Sequence, residues 1–384
     1  MSIRLGWHDA REVAEAAGAP LPPETVALAD SIGRRLARDL VSPTDLPHFA
    51  SSAMDGWLVV GEGPWEITDG EPGPGQARAV VTGGSISEEI TAVLRSELAA
   101  VEGGTVRSVE SGAPRPGQHI RPVGAEARRG ETLISSGSVL NPAHVALAAS
   151  AGIDAFEVQA IPEVALVLTG DEVVTSGTPA GGQVRDSFGV QLPALFGLLG
   201  ARVSHAARVG DQLDRIVEAI AATSAPLIVT TGGTGRSSAD HLRDALAVLN
   251  ARILLDGIAM RPGAPTLLAE LPDGRLIACL PGNPLAAMVV ALTICEPLIA
   301  GLAGRRMRPT RTVDGADLPG RPGSTILVPF SAEENGLGVS PWVGAGMMRG
   351  LADADGLLVV PGGGIFSGRP AESVDLPWRA PATR

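Results

Sequence analysis

Residues 164–302 alternate strand-like runs with amphipathic segments, and this alternation constrains the fold more than any other feature of the sequence. Each of four runs typical of strands is followed by a segment of helical periodicity; the runs are VALVLTG, RVSHAARVG, LIVTTGG and RLIACLPG. Strands and helices that alternate in this way form a parallel sheet with helices packed on its faces. The sequence therefore predicts an α/β domain over residues 161–305.

The remainder of the chain has a different texture. Short apolar runs broken by glycine, GWLVVG, PWEITDG and ARAVVTGG, predict a β-rich insertion domain over residues 46–117. Strand-like runs in a segment rich in Pro and Gly predict a small C-terminal β-barrel domain over residues 306–384. The remaining segments, 1–45 and 118–160, predict one discontinuous helical or mixed domain. The fold class is therefore a multidomain α/β protein.

Three segments of the discontinuous domain carry helix signals. HDAREVAEAAG ends at Gly18, and VALADSIGRRLARDLVS, residues 26–42, places apolar side chains on one face and Arg and Asp on the other. In NPAHVALAASAG, Asn141 suits an N-cap and Pro142 suits the first helical position. We therefore expect a helix in each of these segments.

The chain contains no lysine and no tyrosine among its 384 residues, so arginine supplies every basic side chain. A Walker phosphate loop and a pyridoxal enzyme both require a lysine, and both are excluded. The formal net charge of −12 argues against a protein that coats nucleic acid or an anionic membrane. Chemistry on a polyanion would have to use arginine, backbone N–H groups and metal ions.

The two cysteines, Cys279 and Cys295, lie in apolar stretches without a metal-binding or CxxC spacing. They predict buried thiols in a reducing cytoplasm. No apolar leader opens the sequence, and no run of about 18 uncharged apolar residues occurs, so we expect neither a signal peptide nor a membrane span. The six histidines show no zinc-binding spacing.

Glycine-rich turns follow three of the predicted strands, TGDE at 169–172, TTGGTGRSSAD at 230–240 and LPGNP at 280–284. Ligands of a parallel sheet bind beyond the carboxyl ends of its strands, where glycine lets backbone N–H groups approach an anion. Any one such turn alone is better explained by the tight connections that α/β proteins need. Three of them, each beside a carboxylate or an amide, favour a ligand site.

Carboxylates accompany these turns. Glu172 follows the first strand, Asp211 begins the helix after RVSHAARVG, and Asp240 follows the TGGTG turn. Hard oxygen ligands beside an anion cradle suit Mg²⁺, which bridges phosphate oxygens. Aspartate is also favoured at helix starts by capping and by the helix dipole, so both interpretations of Asp211 and Asp240 remain open here.

SSAMDGW at residues 51–57 resembles the SAMDGY signature of the molybdopterin molybdenumtransferase family, the group of MoeA and the gephyrin E-domain. Other segments resemble further motifs of that family in the family's order; they are VVTGG with Thr82, TGDE, the GG turn followed by Asp240, RPGAP at 261–265 and PGNP at 281–284. The resemblance implies an elongated homodimer. It also implies that the α/β part resembles the molybdopterin-binding (MogA-like) fold of adenylyltransferases in the same pathway.

The resemblance further implies an activity in molybdenum cofactor biosynthesis. This is the Mg²⁺-dependent insertion of molybdate into adenylylated molybdopterin, with release of AMP. Such a reaction depends on positioning and charge neutralisation more than on covalent catalysis by side chains. A labile adenylylated substrate favours handover from the molybdopterin adenylyltransferase, and we expect no nucleic-acid or membrane partner.

Site residues carry over from the family motifs. The implied catalytic residues are Asp55, Thr82, Glu172, Asp211, Asp240 and Arg261, of which Glu172, Asp211 and Asp240 would hold the metal. The implied cofactor-binding residues are Thr169, Gly170, Gly232, Gly233, Thr234, Gly235, Pro262, Gly263, Pro281, Gly282 and Asn283. Asp55 and Thr82 are expected to come from the β-rich insertion of the other subunit.

Several residues depart from the family pattern, among them Ala264, Gly235 and Phe188. Ala264 stands where the second lysine of KPGKP is expected, whereas Arg261 keeps a cation at the first. Gly235 replaces a serine, and Phe188 replaces the asparagine of YDSN. These departures leave a second function open, that of a molybdopterin- or nucleotide-binding paralogue with weak or altered catalysis that serves as a carrier or scaffold.

Overall fold

The computed structural model describes residues 4–110, 112–232, 241–333 and 336–379. The chain divides into two compact units, a larger one of Met1–Pro22 with Ala160–Arg384 and a smaller one of Pro23–Gln159. Each unit has buried apolar clusters of its own. The four-domain division drawn from the sequence stays a prediction, but it groups residues 1–22 with 118–160, whereas the structure assigns Met1–Pro22 to the larger unit.

Most helices belong to the larger unit. Numbered along the described residues, the α-helices are α1 (Trp7–Ala17), α2 (Pro142–Ser150), α3 (Phe188–Leu198), α4 (Leu213–Ala221), α5 (Leu242–Val248), α6 (Pro284–Val290), α7 (Glu296–Leu302) and α8 (Arg349–Ala352). Of these, α2 lies in the smaller unit, where the Asn141 side chain accepts a hydrogen bond from the His144 N–H and caps it, as predicted.

Strands dominate the smaller unit. They are β1 (Glu24–Ala27), β2 (Leu40–Val41), β3 (Ser51–Ser52), β4 (Gly56–Val59), β5 (Trp65–Ile67), β6 (Gln76–Val80), β7 (Ala92–Arg95), β8 (Ala99–Glu102), β9 (Thr105–Ser108), β10 (Ile120–Arg121), β11 (Thr132–Ile134) and β12 (Ala155–Val158). Six of them form one sheet in the order β7-β4-β6-β5-β9-β8 around buried Trp65. The predictions of strands in GWLVVG, PWEITDG and ARAVVTGG are confirmed.

The helix predicted over residues 26–42 is wrong. This segment contains the end of β1, a 3₁₀ turn at Leu28–Asp30 and β2, and β1 pairs antiparallel with β12. Gly33 has a φ of +82°, which interrupts any helix, and the Arg34 side chain donates to the Gln159 carbonyl at 3.0 Å. The arginines of this segment do not lie on one face of a helix, because Arg34 and Arg35 each donate to the carbonyl of a residue far along the chain.

A mixed six-stranded sheet forms the centre of the larger unit. The strands between α2 and α6 that follow β12 are β13 (Glu163–Thr169), β14 (Val173–Val174), β15 (Val184–Arg185), β16 (Arg202–Val209), β17 (Leu227–Thr231), β18 (Arg252–Asp256), β19 (Met260–Arg261), β20 (Leu267–Glu270) and β21 (Leu276–Leu280). The sheet order is β16-β13-β17-β21-β20-β18, and the first four strands are parallel. These four are the strands that the sequence alternation predicts.

The other two strands of this sheet run antiparallel and were not predicted. Strands β20 and β21 form a hairpin, and β18 pairs with the outer edge of β20. The hairpin turn is LPDG, in which Gly274 has a φ of +87°. The sheet is therefore parallel on one side and antiparallel on the other, not parallel throughout.

One long helix fills the core behind the sheet. A π-helical turn, Ala291–Cys295, joins α6 to α7, and it precedes Pro297, which has no N–H to donate one turn back. By length and composition this 19-residue helix could cross a membrane, yet 94% of its apolar window is buried inside the protein. Such burial is typical of a core helix in a globular domain.

The first helix, α1, packs against α7 with very little space between the two backbones. A Cβ atom at Gly301 would lie 2.2 Å from the Glu15 carbonyl oxygen, and one at Gly18 would lie 2.4 Å from the Leu298 carbonyl oxygen. Helix α1 ends before Gly18, as predicted, but the φ of this glycine is −76°. Glycine is therefore required at this position because the two backbones pack closely, and not because the chain makes a left-handed turn.

The last part of the chain forms a second sheet in the larger unit. It contains β19 and five later strands, which are β22 (Arg311–Asp314), β23 (Thr325–Glu333), β24 (Gly336–Val339), β25 (Gly356–Val360) and β26 (Pro370–Asp375). The order is β19-β23-β25-β26-β22, with β24 paired to β23. The strands in TILVPF, LGVSPW and GLLVVP are confirmed, whereas closure into a barrel stays a prediction.

Candidate functional site

The three strands that precede the glycine-rich turns end at one edge of the central sheet, and the second turn is described only as far as Gly232. In the parallel register, Leu168 is opposite Thr231, and Thr231 is opposite Leu280, so β13, β17 and β21 end at the same level. The neighbouring strand β16 ends at Val209, opposite Thr169. The described residues that follow these strands therefore start from the same edge, as expected for a parallel sheet.

A cavity of about 630 Å³ opens at this edge. Its walls come from the ends of β13, β17 and β21, from the segment that leads into α3, and from the start of α6. The lining residues predicted from the sequence are Thr169, Gly170, Glu172, Asp211, Gly232, Pro281, Gly282 and Asn283. The structure thus brings eight of the predicted site residues together.

Glycine is required at two positions of the cavity wall. Gly232 has a φ of +82°, and a Cβ there would lie 2.9 Å from the Thr169 hydroxyl oxygen. Gly170 has a φ of +125°, and a Cβ there would lie 2.7 Å from Val173. Both conformations are left-handed or beyond it, where side chains are strained. The backbone can therefore form a surface that a ligand approaches closely.

Two hydrogen bonds hold the turns to each other. The Thr169 hydroxyl donates to the Thr231 carbonyl oxygen at 2.8 Å, which joins the ends of β13 and β17. The Asp171 backbone N–H donates to the Asp211 carboxylate at 3.1 Å, which joins the end of β13 to the turn after β16. Each bond fixes a wall of the cavity before any ligand arrives.

Asp186 and Arg208 form an ion pair beside the cavity that the sequence did not reveal. Their side chains approach to 2.6 Å, and the Asp186 carboxylate also accepts the Gly189 backbone N–H at 3.0 Å. Burial acts to raise the pKa of Asp186, but these two partners and the Phe188 N–H together outweigh burial and hold it below its ordinary value. The pair fixes the start of α3, whose Phe188 lines the cavity.

Asp55 and Thr82 belong to the smaller unit, where the structure brings them together. The Thr82 backbone N–H donates to the Asp55 carboxylate at 2.6 Å. This hydrogen bond lowers the pKa of Asp55, so the carboxylate stays ionised at neutral pH. The pair is an exposed, charged group on the unit that carries the SAMDG segment.

The RPGAP segment reaches the cavity through its last residue. Pro265 lines the cavity, whereas Arg261 is exposed on β19 and does not line it. Gly263 is buried against Val290, and Ala264 is half-buried with its carbonyl oxygen bonded to the Ile258 N–H. Pro262 follows a cis peptide bond, outside the cavity lining.

Four predicted residues, Gly233, Thr234, Gly235 and Asp240, lie outside the described residues. Within the described ranges, no group of three or more His, Cys, Asp or Glu side chains is placed to hold a metal ion. Glu172 and Asp211 are the predicted metal ligands that line the cavity. A divalent ion held there would need further oxygen ligands from elsewhere.

The two cysteines are buried, as predicted. Burial raises the pKa of Cys279 to about 12 and that of Cys295 to about 12, so both remain protonated thiols at neutral pH. Neither lines the cavity. They are therefore core residues and not nucleophiles.

Comparison with known proteins decides the family. Residues 5–152 match the MoeA N-terminal region (domain I and II), and residues 165–301 match the probable molybdopterin-binding domain. The chain is 33% identical to the molybdopterin molybdenumtransferase of Synechococcus elongatus, over 75% of this chain and 77% of that protein. That of Haemophilus influenzae is 30% identical, with 75% of each chain covered.

The chain belongs to the molybdopterin molybdenumtransferase (MoeA) family. The resemblance expected from SSAMDGW, TGDE and PGNP is thereby confirmed.

Solved MoeA structures share the fold of this family member. Two crystal structures of the Pyrococcus horikoshii MoeA protein superpose with TM-scores of 0.78 and 0.68, at 22% and 20% identity. They cover 97% of this chain and 99% and 100% of their own chains. The multidomain fold is therefore that of MoeA along almost the whole chain.

Proposed function

We propose that this protein is a molybdopterin molybdenumtransferase, which inserts molybdate into adenylylated molybdopterin and releases AMP. The single observation that supports this most is the cavity at the strand ends, where TGDE and PGNP of the family motifs line one space with Asp211. Close relatives that bear this name span three quarters of the chain. Cavity size also suits a small molecule.

In this proposal the chain's own residues bind and orient the substrate. The glycine turns at Gly170 and Gly232 expose backbone to the ligand, and α6 begins at Pro284 on the cavity wall. Helix N-termini and exposed N–H groups favour phosphate and other oxyanions. Glu172 and Asp211 would face the same anion, so a cation must lie between them and it.

Mg²⁺ fits that requirement. This ion is usually held by one or two carboxylates together with substrate phosphates, and not by a complete protein cage. Glu172 and Asp211 line the cavity without a larger acidic cluster among the described residues, and this supports such an arrangement. The third carboxylate of the lining, Asp186, is already paired with Arg208. When bound, Mg²⁺ would neutralise the pyrophosphate charge that develops as AMP leaves.

The remaining expectations are part of the same proposal. We place the enzyme in the cytoplasm as a homodimer, in which Asp55 and Thr82 of one subunit serve the cavity of the other. Substrate would come from the molybdopterin adenylyltransferase. The buried, protonated thiols support a reducing compartment.

A single-turnover assay tests the proposed function. Purified protein is given adenylylated molybdopterin, molybdate and Mg²⁺, and both AMP release and molybdenum cofactor formation are measured. We expect stoichiometric AMP that requires molybdate and the divalent ion. Tight pterin binding with no AMP above background would instead favour the carrier or scaffold function that Ala264 leaves open.

Ala264→Lys is expected to speed the reaction by about tenfold or more when molybdate is limiting, because one charge-assisted hydrogen bond to an oxyanion is worth about 1.5–3 kcal/mol. Ala264 is half-buried and adjoins Pro265 on the cavity wall. The measurement is the initial rate of AMP release against molybdate concentration for Ala264→Lys. Ala264→Met, which has a side chain of similar length without charge, is the matched control. Equal rates for both variants would show that the reaction gains nothing from a cation at this position.

A further inference from the structure

The larger unit contains a second cavity, of about 960 Å³, and none of its lining residues lines the first. Its walls come from α1, the end of α3, the long core helix and the C-terminal sheet. Apolar side chains form most of the wall, among them Leu199, Leu292, Phe330, Leu337 and Val374. A cavity of this size and lining suits the apolar part of a small organic molecule.

The charged groups at this cavity are arginines with acidic partners. Arg311 pairs with Asp375 at 3.3 Å, and Arg379 pairs with Asp355 at 3.5 Å. Arg308 lies 3.9 Å from Glu296, which is itself bound more closely by Arg305 at 2.8 Å. These three arginines and three acids all line the cavity, and their charges balance.

Arg11 is the fourth arginine of the lining, and it has no acidic partner within ion-pair distance among the described residues. Its side chain is 6% exposed and stacks over the Trp7 ring at 4.8 Å. One of its terminal nitrogens donates to the Arg308 carbonyl oxygen at 2.9 Å, whereas its Nε is buried without a hydrogen-bond partner. Burial lowers the pKa of Arg11, although nearby acids oppose this.

A buried cation that lacks a counterion is costly, and proteins normally pair or solvate it. Arg11 is fixed from both sides, by the Trp7 ring and by the Arg308 carbonyl, so its charge is held at the cavity wall. The four arginines and three acids of the lining therefore leave one net positive charge at a mostly apolar wall, in a chain whose net charge is −12.

We propose that this cavity binds a small organic anion with an apolar body, whose acidic head group pairs with Arg11. The anionic head supplies the direct ion pair that no described side chain gives Arg11, whose nearby acids, Glu296, Glu372 and Glu15, lie beyond ion-pair distance. The apolar body covers Leu292, Phe330 and Val374. A bare inorganic anion would leave that apolar wall exposed, and an uncharged molecule would leave Arg11 unpaired. The site is separate from the strand-end cavity and does not depend on the function proposed for it.

The probe for this site is 8-anilinonaphthalene-1-sulfonate, an amphipathic anion whose fluorescence rises when it is bound. We expect one probe molecule per folded chain, displaced by hexanoate but not by hexanol or sulfate at the same concentration. In Arg11→Gln the dissociation constant should rise at least about tenfold, the loss expected for one charge-assisted contact.

A second variant keeps the test independent of the buried arginine. Ala332 lines the cavity at an exposed position of β23, so Ala332→Trp should fill part of the space without removing a charge and should weaken probe binding similarly. Arg215→Gln, which removes an exposed arginine of α4 that pairs with Glu218, is the control and should bind normally. Unchanged affinity in both Arg11→Gln and Ala332→Trp would overturn the proposal, as would equal displacement by hexanol or by sulfate.

Discussion

Replacing Glu172 with glutamine is expected to reduce AMP release by about 10²-fold or more, the usual loss when one preorganised charge contact at the reacting centre is removed. Glu172 lines the strand-end cavity, and one of its carboxylate oxygens lies next to Gly170, where an added Cβ would be 3.1 Å from it. Glutamine keeps the shape and removes the charge. The defect should be seen in steady-state AMP release at several Mg²⁺ concentrations.

Glu163→Gln is the matched control, because Glu163 lies at the opposite end of the same strand in an exposed ion pair with Arg202. It should leave AMP release unchanged, since exposed pairs contribute little.

A double variant sharpens the test. If Glu172 and Asp211 hold the same ion, Glu172→Gln with Asp211→Asn should be far less impaired than the product of the two single losses. Normal turnover of Glu172→Gln at low Mg²⁺ would show that Glu172 is not a residue of the active site.

Replacing Gly301 with alanine is expected to destabilise the larger unit by about 3 kcal/mol, at the upper end of the usual cost of overpacking. The added Cβ would lie 2.2 Å from the Glu15 carbonyl oxygen and 2.5 Å from that of Gly18, both of which are backbone atoms that cannot rotate away. Helices α1 and α7 would therefore have to separate. For a unit of this size the unfolding temperature should fall by about 6–12 °C.

Gly197→Ala is the control for that substitution. Gly197 lies in α3 of the same unit, and a Cβ there would meet nothing within 4 Å. Alanine is favoured over glycine in a helix by about 1 kcal/mol, so this variant should be as stable as the parent or more so. Thermal unfolding followed by circular dichroism compares the two. Equal unfolding temperatures for Gly301→Ala and the parent would show that the helices tolerate a wider separation.

Local sequence patterns were sufficient to predict the four parallel strands and the turns that follow them. Period, β-branched residues and glycine placement are local properties, so β13, β16, β17 and β21 were recognisable, and TGDE and PGNP with them. Because the ends of parallel strands meet, the sequence also placed Glu172, Asp211 and Gly232 at one site before the structure did.

What the sequence missed depends on partners far along the chain. The segment 26–42 has a helical pattern, yet β1 is held by β12, and no local signal reveals that pairing. No helix separates β18, β20 and β21 along the chain, so the alternation of strands and helices that predicted the parallel strands gave no signal for the antiparallel ones. Arg208 identifies Asp186 as a fixed group only once the fold brings them together.

The contact between α1 and α7 has a consequence for how this protein is made. The hydrogen bond from Arg11 to the Arg308 carbonyl joins residues 297 positions apart. At about 5–20 residues per second, the ribosome needs about 15–60 s to deliver the second residue after the first. The smaller unit, Pro23–Gln159, is complete long before then and can fold first. Trp7 and the rest of the first helix therefore stay unburied until the core helix leaves the ribosome, so this helix reaches its native place after segments that are synthesised later.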